Sequence, residues 1–371
     1  MRKLDVYKIM KNEEIRHLIK GCIEEISIEM GRELFEVVTN KPDDPNENFW
    51  AENIIQAAYV IKKNLGNQDA IRLLTAAYEE YKLIYPNSFH LKNELLKQNF
   101  YIQIEEGKLK DAHMTMNKYL YNTLGHVQFT TSVPSMHYFS FRGISDYSLE
   151  EIMNEEITLA HPREFNDPLD TILMWWLEHE IKLGSADEKE LNFRLLMKKA
   201  AEHIKLRCLV GSKYNEEGKW KERTIEDLNI LMWAHYAKCH TGLCVEFDFD
   251  RKLYKTGSVT NEEEIVMIAP IKYTQTIDIN EVPNMKQALF QKSDFWEYEN
   301  EMRLCLFNVN NTDYYPRIKC PNSIKAIYLG VKCNAEDRRM VEKAIGDKDI
   351  PLFQMVVDET KLTRLKKIQI G

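Results

Sequence analysis

A chain of 371 residues with 44% hydrophobic and 29% charged side chains is long enough for two domains and has the makeup of an ordinary globular protein. Its net charge of −8 is shared along the chain, with 17 basic and 19 acidic residues up to position 128 and 33 and 39 beyond it, so neither part has the basic excess of a dedicated nucleic-acid binder. No apolar run approaches the roughly 18 residues needed to span a bilayer, no secretory leader opens the chain, and seven cysteines without a CxxC pair read as free thiols, so a soluble cytoplasmic protein is expected, with no membrane partner.

Between Val6 and Val38 the apolar residues Ile9, Ile15, Leu18, Ile19, Cys22, Ile26 and Ile28 keep roughly helical spacing, which "NKPDDPNEN" at 40–48 ends. The next stretch, up to Pro86, predicts two amphipathic helices around Gly66-Asn67, and "FHLKNELLKQNFYIQIEEGKLKDAHMTMNKYL" repeats the plan around Gly107. Asp69-Ala70 aligns with Asp111-Ala112, a period of about 42 residues, and "GNQDAIRLLTAAYEEYKLIYPNS" resembles the second helix of a tetratricopeptide repeat, whose usual period is about 34. Residues 1–124 are therefore expected to form an all-α, helical-hairpin, tetratricopeptide-like region. A concave face of such an array holds a protein or peptide partner, and a plain helical scaffold is the alternative.

"GHVQFTTSVPSM" at 125–136 is turn-rich and marks the expected boundary. Beyond it, strand-like runs at 137–142, 157–162, 243–249, 265–274, 302–307, 324–330 and 351–357 alternate irregularly with helical stretches at 169–182, 187–206, 225–238 and 335–345. Residues 125–371 are accordingly expected to be a mixed α+β domain with a partly antiparallel sheet.

Several stretches could carry chemistry. In "DFWEYENEMRL" (294–304), a strand over 298–304 would put Glu299, Glu301 and Arg303 on one face, with carboxylates two apart separated by about 7 Å. They would suit contacts to a sugar and an attacking group, and a solvated face on which Arg303 neutralises Glu301 is the alternative. "HYFSFR" would show Tyr138, Ser140 and Arg142 on one face, where a guanidinium could take a phosphate or carboxylate, and His137, Phe139 and Phe141 on the other. In "HPREFNDPLD", Asn166 and Asp167 are either ligand contacts or Asx-turn residues, and Asp170 opens the next helix. "LMWAHYAKCHTGLCVEFD" carries His235, Cys239, His240 and Cys244, but Gly242 ends the helix and turns Cys244 inward, so His235 and Tyr236 are expected to face a cleft and no metal is expected. Walker, GxGxxG, GxSxG and HExxH motifs do not occur.

Taken in order, "YFSFR", "ITLAHPREFNDPLD", "LMWAHYAKCHTGLCVEFD", "KSDFWEYENEMRL" and "IKAIYLG" resemble the bacterial domain-of-unknown-function family 2971 over about 137–335. The departures are Ser140-Phe141 for Lys-Tyr, Leu169 for Phe and Met302 for Trp. An early strand ending in Arg and a late Glu-x-Glu is also similar to the Arg-Ser-Glu class of ADP-ribosyltransferases, although no Ser-Thr-Ser lies on a middle strand. What that resemblance implies is NAD as cofactor, bound by Arg142 with Tyr138, Asn166, Asp167 and Tyr236 around it. Glu301 would catalyse by stabilising an oxocarbenium-like transition state, and Glu299 would activate or orient a protein or nucleic-acid acceptor, with His235 expected as a further catalytic residue. A helical partner-binding region joined to such an effector would suit a bacterial toxin or antiphage system. The alternatives are a metal-dependent nuclease or hydrolase using Asp167, Asp170, His235, Glu299 and Glu301, and a non-catalytic binding module.

Overall fold

A computed structural model of the chain describes residues 71, 75, 89–130, 137–183, 188–211, 213–214, 220–221, 223–249, 264–276, 285–310, 313–361 and 364–371. By compactness the chain divides into two units, Met1–His126 with Gly184–Ala200, and Val127–Leu183 with Ala201–Gly371.

In the first unit, helices Phe89–Glu105 and Leu109–Thr130 follow one another through Gly107, whose φ of 71° is open to glycine without a Cβ clash. Asn93 donates to Thr123 Oγ1 at 3.2 Å and accepts from Asn122 at 2.7 Å, so the helices lie side by side as an antiparallel hairpin. Phe100, Ala112, Met116, Leu120 and Leu124 are buried. The hairpin expected around Gly107 is present, whereas those expected before residue 88 lie outside the described residues. Helix Leu109–Thr130 also runs through Gly125, where a break is expected from composition. One glycine costs a helix about 1 kcal/mol, too little to stop one that is already propagating. A third helix, Glu188–Ala201, falls largely in this unit.

The second unit is α+β. Its strands are β1 (His137–Arg142), β2 (Glu156–Thr158), β3 (Ile204–Val210), β4 (Lys213–Tyr214), β5 (Trp220–Lys221), β6 (Leu243–Asp248), β7 (Glu264–Pro270), β8 (Lys272–Thr274), β9 (Gln291–Ser293), β10 (Glu301–Asn308), β11 (Arg317–Lys319), β12 (Ile324–Leu329), β13 (Leu352–Val357) and β14 (Leu365–Gln369). Eight of them form one sheet in the order β14-β13-β12-β6-β1-β3-β10-β7. All of its pairings are antiparallel except β12 with β13, which are joined by helix Ala335–Ile345.

Period-two alternation gives this sheet two covered faces. Tyr138, Leu209, Val245, Leu304 and Leu329 point to a core that includes Ile152 and Val341 from helices Asp146–Asn154 and Ala335–Ile345. Phe139, Val210, Cys244, Ala326 and Tyr328 point to a second core with Met232 and Trp233 of helix Leu231–His235.

Four expectations shift, the first being the helix expected over 225–238, which reduces to a 3₁₀ turn at Ile225–Asp227 and a short helix at Leu231–His235. The helix expected over 187–206 stops at Ala201, and "IKLRCLV" becomes β3, an interior strand whose side chains serve both faces. The strand expected over 265–274 breaks after Pro270 into β7 and β8, as a residue without an N–H must interrupt a ladder. The strand expected over 157–162 ends at Thr158, because Pro162 opens a 3₁₀ turn with the His161 ring as its cap.

Candidate functional site

Residues 298–304 do not form one strand. Asp294–Glu299 is a 3₁₀ helix, Asn300 adopts a left-handed φ of 46°, and β10 starts at Glu301. The turn nevertheless brings both carboxylates to one place. Lys292, on β9, donates from Nζ to Glu299 Oε2 at 2.8 Å and to Glu301 Oε2 at 3.1 Å, with Asp170 Oδ2 at 3.4 Å. Arg303, fully buried on β10, donates from Nε to Glu301 Oε1 at 2.8 Å, from Nη2 to Asp170 Oδ2 at 2.9 Å, and from Nη1 to the Leu289 carbonyl at 2.6 Å. The Tyr236 hydroxyl donates to Glu299 Oε1 at 2.5 Å, and the Glu301 N–H donates to the Tyr273 hydroxyl at 2.8 Å. Three carboxylates and two cations are thus held in one buried network, with the Lys292 ammonium filling the space between the carboxylates that a divalent ion would need.

The network separates its acids. Burial alone would raise the Glu301 carboxyl, but Arg303 and Lys292 outweigh it and hold the pKa at about 2. Glu299 goes the other way, because burial raises it more than Lys292 and the Tyr236 hydroxyl lower it. Asp170 is also raised, burial outweighing Arg303. Lys292 stays protonated, since Glu301, Asp170 and Glu299 together overcome its burial. Two carboxyls with different proton affinities beside one ammonium are the usual makings of an acid and base pair.

Above this network is a cavity of about 370 Å³. Its apolar wall comes from Phe139 and Phe141 of β1, Phe165, and Met232, and its polar floor from Asp170, Cys208, Tyr236, Lys292, Glu299 and Glu301. Cys208, which pairs across the ladder with Arg303, exposes its thiol to the cavity and hydrogen-bonds Glu301. Glu164, Asn166 and His235 complete the lining, and His235 Nδ1 lies 3.0 Å from the Tyr298 hydroxyl.

Six residues singled out from sequence therefore meet at the cavity: Glu299, Glu301, His235, Tyr236, Asn166 and, from the nuclease alternative, Asp170. The other three do not. Asp167 Oδ1 accepts from the Leu169 N–H at 2.9 Å and serves its own turn. Tyr138 is fully buried in the core on the far face of the sheet. Arg142 alternates to that same face, where it pairs with Glu151 of helix Asp146–Asn154. The alternation read from "HYFSFR" holds, but its aromatic face, and not its cationic one, looks onto the carboxylates. The segment with Cys239 and His240 is a turn with left-handed backbone, and Cys244 is buried in the sheet. Among the described residues no group of three or more His, Cys, Asp or Glu is arranged to hold a metal.

Lys292, Cys208 and Phe165 have no assigned place in a cavity from sequence reading alone. Lys292 stands in the quoted "KSDFWEYENEMRL", yet nothing in a lone lysine announces that it bridges two acids. Cys208 lies just past the stretch at 187–206 whose pattern reads as helix, and no element is assigned to it from pattern.

Comparison with protein families gives one finding: the model described as "Protein of unknown function (DUF2971)" matches residues 232–304, from Met232 to Leu304. This span carries His235, Tyr236, Lys292, Glu299, Glu301 and Arg303, and so most of the polar floor. No similar chain is found among curated proteins or among solved structures.

Proposed function

We propose that the second unit consumes NAD by breaking the bond between nicotinamide and ribose, with transfer of the ADP-ribosyl group to a protein or nucleic-acid acceptor. The observation that carries this reading is the pair of unlike carboxyls on Lys292. Distances of 2.8 and 3.1 Å to one Nζ put the nearer oxygens of Glu299 and Glu301 no more than about 6 Å apart, a bound that admits the separation of about 5–5.5 Å at which two carboxyls serve one anomeric carbon. Glu301, held ionised, would stabilise positive charge developing on the ribose, and Glu299, able to take a proton, would act on the acceptor hydroxyl. Three phenylalanines over an acidic floor suit the planar, cationic nicotinamide ring, and a volume of about 370 Å³ suits that end of the dinucleotide. With Arg142 on the other face, the phosphates would lie outside the cavity.

In this reading the N-terminal helices hold a protein or peptide partner, in the manner of a toxin or antiphage effector. The test is incubation of the full chain with NAD, following nicotinamide release beside Glu301→Gln and Glu299→Gln. Release that Glu301→Gln abolishes is the expected result; no release, with or without lysate and nucleic acid, overturns the reading. One observation favours a second reading, binding without chemistry: every oxygen of Glu299 and Glu301 already has a partner. Nicotinamide that binds and is not released from NAD would mark that case.

A further inference from the structure

On the face of the sheet opposite the cavity, β1 and β3 present Arg142, Arg207 and Lys205, whose Nζ donates to the Glu202 carbonyl at 2.8 Å, and helix Asp146–Asn154 brings Glu151 against them. Ser140 and Arg142 lie two apart on β1 and share that face, with Cα atoms about 7 Å apart. Arg142 is matched by Glu151, whose other oxygen accepts from the Thr158 N–H at 3.1 Å. Among the described residues Arg207, on β3, has no such match: its Nη2 donates to Ser140 Oγ at 2.6 Å, and its Nε is sealed from solvent without a partner among them. Burial works against the charge of Arg207, and after its own burial Arg142 is disfavoured most by Arg207 itself.

A guanidinium does not lose its proton in this situation, so an unmatched one with little solvent is destabilising unless an anion or water meets it. Ser140 is buried, whereas Arg142 and Arg207 are each partly exposed. The planar fork of Arg pairs with two oxygens of a tetrahedral oxyanion, and Ser140 Oγ adds a hydroxyl beside the Arg207 fork.

We infer that Arg207, Ser140 and Arg142 form a binding site for a small oxyanion of the phosphate class, separate from the cavity and on the other side of the sheet. The site is independent of the NAD reading. Its occupant is either free phosphate or the phosphate of a small monoester. An anion held there would tie β1 to β3, the two strands that supply Phe139, Phe141 and Cys208 to the cavity.

The experiment is thermal unfolding of the full chain in inorganic phosphate, in AMP, and in sodium chloride at matched ionic strength, for wild type, Arg207→Gln and Ser140→Ala. Phosphate tenfold above its dissociation constant is expected to raise the wild-type midpoint by roughly 3–6 °C over chloride. The rise should vanish in Arg207→Gln, which without phosphate should be at least as stable as wild type, because it lacks the unmatched charge. Ser140→Ala, which keeps both charges, should need several-fold more phosphate and reports on the site even where Arg207→Gln is poorly folded. A rise with phosphate but not AMP assigns the free ion; a rise with both assigns the ester as well. A rise that persists equally in all three proteins is general salting-out, and that result, like no rise in wild type, overturns the inference.

Discussion

Glu301→Gln removes a charge and keeps the shape, and its cost can be worked from the network. The carboxyl titrates at about 2 in the folded chain against 4.5 for an ordinary glutamate, so its ionised form contributes about 3 kcal/mol to folding at neutral pH. Because the folded value is the lower one, that contribution is complete above about 4.5 and is lost as the pH falls through about 2. In the variant Arg303 keeps Asp170 and Lys292 keeps Glu299, so the network loses one member without collapsing. The expected loss at pH 7 is about 3 kcal/mol, or roughly 6–12 °C in midpoint for a unit of this size. Tryptophan fluorescence during urea unfolding would follow it, since five of the six tryptophans, at 175, 176, 220, 233 and 296, lie beyond residue 128. The gap between wild type and variant should then narrow steadily between pH 4.5 and pH 3. Glu299→Gln serves as the contrast: a raised carboxyl contributes below its unfolded value of about 4.5 and loses that contribution as pH rises, so this variant should gain on wild type as the pH climbs above about 4.5. A Glu301→Gln protein within about 0.5 kcal/mol of wild type at pH 7, or a gap that does not change down to pH 3, would refute the reasoning.

Tyr236→Phe leaves Glu299 Oε1 buried without its donor, which should cost about 1–3 kcal/mol and move any activity midpoint set by Glu299 upward, since the lost hydrogen bond favoured the anion. A pH profile with the midpoint unmoved would count against the contact. Gly330→Ala would place a Cβ 2.2 Å from the His240 carbonyl oxygen, a backbone atom held by the Lys332 N–H, so a loss of about 3 kcal/mol or more is expected in urea unfolding. Cys208 opens onto the cavity, but burial and then Glu301 raise its thiol well above the usual range, so at pH 7 iodoacetamide should label exposed Cys239 first. Peptide mass mapping reads the order, and faster labelling at Cys208 would contradict the electrostatics derived for the floor.

The sequence alone established the α+β class of the second unit, because period-two runs such as "LCVEFDF" and "IKAIYLG" and the capped helix at 335–345 are local patterns. It also brought forward Glu299, Glu301, His235 and Tyr236 as candidates, since a quoted motif lists side chains whether or not their geometry is understood. It could not tell which face of β1 looks at them. Alternation divides "HYFSFR" into Phe139 with Phe141 and Tyr138 with Arg142, but which group meets the carboxylates depends on the neighbouring strands, and β3 was hidden in a stretch that reads as helix. Lys292 was illegible for a related reason. Its importance comes from a 3₁₀ turn and a left-handed Asn300 that fold Glu299 back beside Glu301, so that one ammonium can reach both. Local pattern fixes which way a side chain alternates; only the assembled sheet decides what it then faces, because charge pairing acts through space and not along the chain.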